Sequence, residues 1–256
     1  MVSSGLQLWS RARRRQTPVC VPQPAFGANR PLLGNGSLRS LLLVVASIAY
    51  VQQAALAQLP SSPPLVHAAE LGDITTLRLR LAAGADVEQR DDAGRTALLA
   101  ATQANQIAAA AILISAGADV NATDNIGDSA FLYAGAEGRT EILRLTLAAG
   151  ADLASLNRFG GTALIPAAHH GHVEAVRLLL ATPIAVDHVN NLGWTALLEA
   201  VILGNGGPAH VEIVRLLLAA GADASLTDRD GRSPLVHARA RGFEAIADAI
   251  AKAGGK

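Results

Sequence analysis

A four-residue tag, Ala-Gly-Ala-Asp, returns along this chain on a fixed spacing, and that spacing constrains the fold more than any other feature. It stands at 83–86, 116–119, 149–152 and 220–223. The glycines Gly84, Gly117 and Gly150 are 33 residues apart. The step from Gly150 to Gly221 is 71 residues, two periods lengthened by five. Pro183 occupies the place of the missing glycine, and Gly254 comes 33 residues after Gly221. A period in this range marks a repeat architecture, in which each copy is one small unit that buries its apolar side against its neighbours. Counted back from the tags, the copies run 63–95, 96–128, 129–161, 162–194, 195–232 and 233–256.

Each copy repeats one order of signals. It opens on a small polar residue and an apolar pair, as in Thr96-Ala97-Leu98, Ser129-Ala130-Phe131, Thr162-Ala163-Leu164, Thr195-Ala196-Leu197 and Ser233-Pro234-Leu235. The Thr or Ser is placed to N-cap a short, alanine-rich helix. A turn with glycine follows (Gly72, Gly138, Gly171, Gly204, Gly242). Then comes a longer stretch with apolar residues at helical spacing, such as Val211, Ile213, Val214, Leu216, Leu217 and Leu218. The tag glycine sits where a helix C-cap needs a left-handed residue. An Asp/Asn-rich tip, such as Asp124-Asn125-Ile126-Gly127, closes the unit as a tight turn. Pro166 falls in a first helical turn, where its missing N–H costs little, and Pro183 should make the fourth copy end its long helix differently. Residues 205–209 of the fifth copy are expected to lengthen the turn between its helices as a surface loop.

Helix, turn, helix and tight hairpin on this period resemble the ankyrin repeat family over about residues 60–256. The opening motif here is Thr-Ala-Leu-x-x-Ala rather than Thr-Pro-Leu-His-x-Ala, and His67 and His237 stand one residue past the usual histidine. The resemblance implies an all-α solenoid of six helix-turn-helix repeats with β-hairpin tips. It also implies a non-catalytic protein-binding module that uses its hairpin tips and inner helices. In that register the tips offer Asp92 and Arg95, Asn125, Ile126 and Asp128, Arg158 and Phe159, Leu192 and Trp194, and Arg229 and Arg232. The inner helices offer Gln103, Glu137, His169, His170, Ile202 and Leu203. Ile126, Phe159, Leu192 and Trp194 are large apolar residues where turns usually carry polar ones. Set side by side and rimmed by Arg158 and Asn191, they would form a binding hot spot. Alternatively, Trp194 and Phe159 fold down against their own first helices. The polar last copy, with Arg239, Arg241, Asp248 and Lys252, reads as an end cap.

Composition narrows the partner. Residues 1–58 carry six arginines and no acid, so the remainder holds 15 basic and 21 acidic residues, a net charge of −6. That balance disfavours nucleic acid and anionic membrane, and leaves a protein as the expected partner of a monomeric body. The only cysteine, Cys20, lies upstream of the repeats, which therefore have no disulfide, thiol nucleophile or Cys-based metal site. Walker, nucleophile-elbow, dinucleotide-binding and His-Glu-x-x-His motifs are absent, so no catalytic residue and no cofactor is expected. The cluster His169-His170-Gly171-His172 reads as two groove residues and a turn histidine, since the sequence places no acid beside them to complete a metal site.

The first 57 residues read as an address. Arg39, the apolar run 41–50 and Ala55-Leu56-Ala57 are the three parts of a secretory signal peptide, with cleavage expected after Ala57. Residues 58–62 then form an extended lead-in. The expectation is an exported protein in the bacterial periplasm. The alternatives are an uncleaved N-terminal anchor, and an organellar transit peptide on an intracellular adaptor.

Overall fold

The computed structural model describes residues 64–255. The expected leader, 1–57, and the lead-in, 58–62, lie outside them. Twelve helices among the described residues follow one another in six pairs. These are α1 (Leu65–Leu71) with α2 (Ile74–Ala82), α3 (Ala97–Gln103) with α4 (Ile107–Ser115), α5 (Ala130–Ala136) with α6 (Thr140–Ala148), α7 (Leu164–His170) with α8 (Val173–Leu180), α9 (Ala196–Ile202) with α10 (Pro208–Ala219), and α11 (Pro234–Ala240) with α12 (Glu244–Lys252). The helical repeat stack expected from the tag is therefore present, copy by copy.

Small side chains let the short first helices pack closely on one another. Ala100, Ala101, Ala134, Ala167, Ala168, Ala200 and Ala238 are all fully buried. The second helices add the larger core residues Leu77, Leu113, Ile142, Val176, Ile213 and Ile246. One continuous apolar core runs through all six pairs, as a stack of units that cannot fold singly requires.

The caps explain where the helices start and stop. Thr96, Ser129, Thr195 and Ser233 each accept a hydrogen bond on the side-chain oxygen from the N–H three residues on. Thr162, expected to do the same, does not. Pro166 has no N–H to give the Thr162 carbonyl, which instead accepts from Ile165 N–H at 3.2 Å. That tightened first turn takes the Ile165 N–H away from the side chain and leaves the buried Thr162 hydroxyl without a partner among the described residues. The proline thus carries a cost, and it falls on the cap.

At the other end the tag glycines adopt φ between +81° and +92°. The following N–H reaches back to close the last turn, as in Ala118 to the Leu113 carbonyl at 3.0 Å. In the fourth copy, as expected, α8 stops differently. The Thr182 hydroxyl takes over, donating to the Leu179 carbonyl at 2.6 Å. The inserted residues of the fifth copy are not simply a longer loop. Pro208 starts α10 early, so this helix has 12 residues where α4 and α6 have 9, and part of the insertion is helical.

The tips share one device. Asp91, Asp124, Asn157, Asn190 and Asp228 each turn one side-chain oxygen onto the N–H groups two and four residues on, at 2.9–3.0 Å. Neighbouring tips are tied by Asn125 N–H to the Ala93 carbonyl, 3.1 Å, and Asn191 N–H to the Phe159 carbonyl, 2.9 Å. The expected β-hairpins are present only in outline. Among the described residues, two isolated bridges, Arg90–Thr96 and Thr123–Ser129, stand in place of strands.

The caps predict an asymmetry between equivalent threonines. Thr195→Val should lower the unfolding free energy by about 1 kcal/mol through loss of a working cap. Thr162→Val removes a buried hydroxyl that has no partner and should be neutral or stabilising. Urea unfolding of the two variants checks this.

Candidate functional site: a groove across three repeats

First helices and tips together enclose a groove of about 350 Å³. Tyr133, Ala136 and Glu137 come from α5 and its end, Ile165, Pro166, His169 and His170 from α7, Glu199 from α9, and Leu203 from the turn after it. The tips add Asp128, Asn157, Arg158, Phe159, Gly161, Asn190 and Leu192. The second helices contribute nothing to it.

Several residues named from the sequence meet here. Phe159 and Leu192 are exposed by 53 % and 46 % on adjacent tips, and Ile126, exposed by 54 %, continues the row on the tip before. Trp194 does not join them. It is half-buried, lies outside the groove lining, and its backbone is held by Asn190. Arg158 is committed rather than free. Its guanidinium donates to Asp128 at 3.1 Å and lies 4.8 Å over the Phe159 ring. Arg95, expected at a tip surface, folds inward to Asp91 at 2.7 Å, Glu70 at 3.2 Å and Gln103 at 2.9 Å. Asp92 and Asn125 are exposed on the first and second tips, joined by the Asn125 amide donating to the Asp92 carbonyl. They do not line the groove.

The histidines are sorted as their register implied. His169 and His170 line the groove, while a Cβ at Gly138 would fall 2.6 Å from the ring of His172, which packs on that preceding turn. His170 Nδ1–H donates to the Ala136 carbonyl at 2.7 Å. His210, brought in by the extra turn of α10, donates from Nε2 to the His169 carbonyl at 2.8 Å. The expectation that no acid stands near them needs correction, because the stack brings in Glu199, whose Oε2 is 3.9 Å from His169 Nδ1. Among the described residues no group of three or more His, Cys, Asp or Glu side chains is placed to share a metal ion.

Glu199, Asn190 and Tyr133 are among the groove residues the sequence did not single out. Glu199 and Tyr133 occupy the same helix position as His67 and His237, one past the place of the usual family histidine, and that register was the available signal. Glu199 is only 7 % exposed. Asn190 donates to its Oε1 at 2.7 Å. Burial raises the Glu199 carboxyl above its ordinary value, against the Asn190 hydrogen bond and the nearby His170. Burial also raises Asp128, opposed by Arg158. His169 is lowered by burial, with His170 and His210 adding to the effect, so it stays neutral at neutral pH.

Comparison with known proteins agrees with this architecture. The family model described as ankyrin repeats (3 copies) matches three overlapping stretches, 38–124, 65–155 and 131–228. An ankyrin repeat domain from Acinetobacter baumannii AYE, of known crystal structure, is 57 % identical, with 75 % of this chain and 98 % of that one covered at a TM-score of 0.73. The ankyrin repeat protein EF0377 is 41 % identical over 74 % of this chain and 96 % of that one, at a TM-score of 0.71. The ankyrin repeat protein YahD of Escherichia coli (strain K12) is 50 % identical over 56 residues, 22 % of this chain and 28 % of YahD, so the match spans little more than a quarter of that relative's length.

The buried carboxyl gives a signed prediction. Because its value is raised in the folded state, the folded protein keeps the Glu199 proton to higher pH than the unfolded chain does. The associated stability is present in acid and is lost as the pH climbs through the raised value. Glu199→Gln keeps an acceptor for Asn190 and removes the charge. It should melt above the wild type at about pH 7.5 and together with it at about pH 3.5. A melting temperature at or below wild type at the higher pH would show that the buried charge is not a strain.

Proposed function

Because the chain belongs to the ankyrin repeat family, whose repeats are protein–protein interaction modules, we propose that it binds a partner protein along the groove face, over the row Ile126, Phe159 and Leu192, without catalysis. The observation that carries this reading is the exposure of three large apolar residues on consecutive tips whose backbones are held rigid. Apolar side chains displayed by a fixed scaffold lose little entropy on docking, and a polar rim around them is the usual anatomy of an interface. Asn125, Asn191 and Arg158 supply that rim. Trp194 drops out of the contact surface, and Arg95 and Asp92 are not part of its centre.

We also place the protein in the periplasm. The support is the order of Arg39, the apolar run 41–50 and Ala55-Leu56-Ala57. Among the described residues no helix is long and apolar enough to cross a membrane.

A photo-reactive phenylalanine analogue placed at Leu192 should crosslink a second protein in living cells. The same analogue at Arg215, on α10 and away from the groove, should give none. Equal adducts from both positions, or none from Leu192, would overturn the docking face. N-terminal sequencing of the cell-fractionated protein should find a mature start at Gln58 in the periplasm. An intact N-terminus in the cytoplasm would overturn the export.

A further inference from the structure

Carboxylates withdrawn from water need a positive partner, and on this face most of them have one within the chain. Asp91 has Arg95 at 2.7 Å, Asp128 has Arg158 at 3.1 Å, and Asp228 has His237 at 2.6 Å. Glu199, the least exposed acid in the groove, has no arginine or lysine paired with it among the described residues, only histidines nearby. One oxygen takes the Asn190 amide, and the other has only the His169 ring, at 3.9 Å, beyond hydrogen-bond reach. Glu137 lines the same groove. The lining holds three carboxyl groups, Asp128, Glu137 and Glu199, against one guanidinium, Arg158, and the two imidazoles of His169 and His170.

We propose that the groove seats one cationic side chain, a lysine or an arginine, carried by an extended segment of the partner protein, with the free oxygen of Glu199 and the Glu137 carboxylate receiving its charge and Leu192 and Leu203 flanking its aliphatic stem. The proposal rests on the docking face described above and adds the chemistry of what enters it. Charge complementarity selects the sign. The chain itself shows how a cation lies on this surface, since the Arg158 guanidinium sits over the Phe159 ring and against Asp128. Size selects the form. A groove of about 350 Å³ is at the lower end of small-ligand sites and admits a side chain, whereas an α-helix is ~10–12 Å across. Glu199 is also, with Asp128, one of two groove carboxyls raised by burial, so that its charge works against folding. A group that destabilises the empty protein and matches a ligand is the usual mark of a functional position.

The test uses the full chain and two blocked pentapeptides, Gly-Leu-Lys-Leu-Gly and the same peptide with norleucine for lysine, titrated by calorimetry. The lysine peptide should bind at least about tenfold more tightly, and raising the salt should weaken it alone. Glu199→Gln, which is expected to fold more stably than the wild type, should bring the lysine peptide to the norleucine value. Equal affinities for the two peptides, a preference that survives in Glu199→Gln, or no binding of either would each overturn the cationic pocket. Spermidine binding as tightly as the lysine peptide would also overturn it, by making the ligand a free amine. Equal binding of both peptides that is lost in Leu192→Ser would leave the docking face standing without the charge pocket. Absence of crosslinks from Leu192 would remove the face itself.

Discussion

Each tip can reverse the chain because one side-chain oxygen accepts two backbone N–H groups. In a turn only a few residues long those N–H groups have no backbone acceptor of their own, and leaving them bare would cost about 1–3 kcal/mol for each one buried. The residue two positions past the capping oxygen is itself one of the donors. Ile126, Phe159 and Leu192 stand at that position. Their backbones are therefore pinned by the bond that makes the turn, and their side chains are displayed outward as a result. Tip geometry follows from one repeated Asp or Asn, and the apolar row from the residues that three consecutive tips place two positions on.

The groove combines two opposed demands. Asn190 serves the turn with its oxygen and Glu199 with its amide, so a structural residue also holds a buried carboxyl in place. Glu199 gains one hydrogen bond and, among the described residues, no paired arginine or lysine, a poor arrangement for stability. Arginines nearby solve the same problem twice, at Asp91 and at Asp128.

Most of the fold was legible because glycine, proline and the Thr/Ser caps act locally. A left-handed glycine ends a helix whatever surrounds it, which is why the tag located every boundary it marked. The Thr162 hydroxyl escaped this reasoning because its fate depends on a proline four residues away. The N–H that Pro166 lacks drew Ile165 N–H to the carbonyl instead of the side chain. Strands were read into the tips from family likeness, while the real turns close on side-chain oxygens and need little ladder. At the site, the row on consecutive tips followed from register alone, but the partial burial of Trp194 and the commitments of Arg95 and Arg158 did not. Long side chains choose partners that only the stacked copies bring within reach. Glu199 meets His169 across a copy boundary, a proximity that no local pattern encodes.

The extra turn of α10 has a consequence for how the stack comes apart. In a linear array each boundary carries its own coupling, and the array opens first where that coupling is weakest. His210 reaches from the fifth copy to the His169 carbonyl of the fourth, and Arg241 reaches from the sixth to the carbonyls of Ile202 and Gly204 in the fifth. These bonds rivet two consecutive boundaries, and the His170 bond to the Ala136 carbonyl does the same at the boundary before them, so the third to sixth copies are joined in series. The groove walls α5, α7 and α9 all lie within that run, so separating any two of them means breaking a bond between copies.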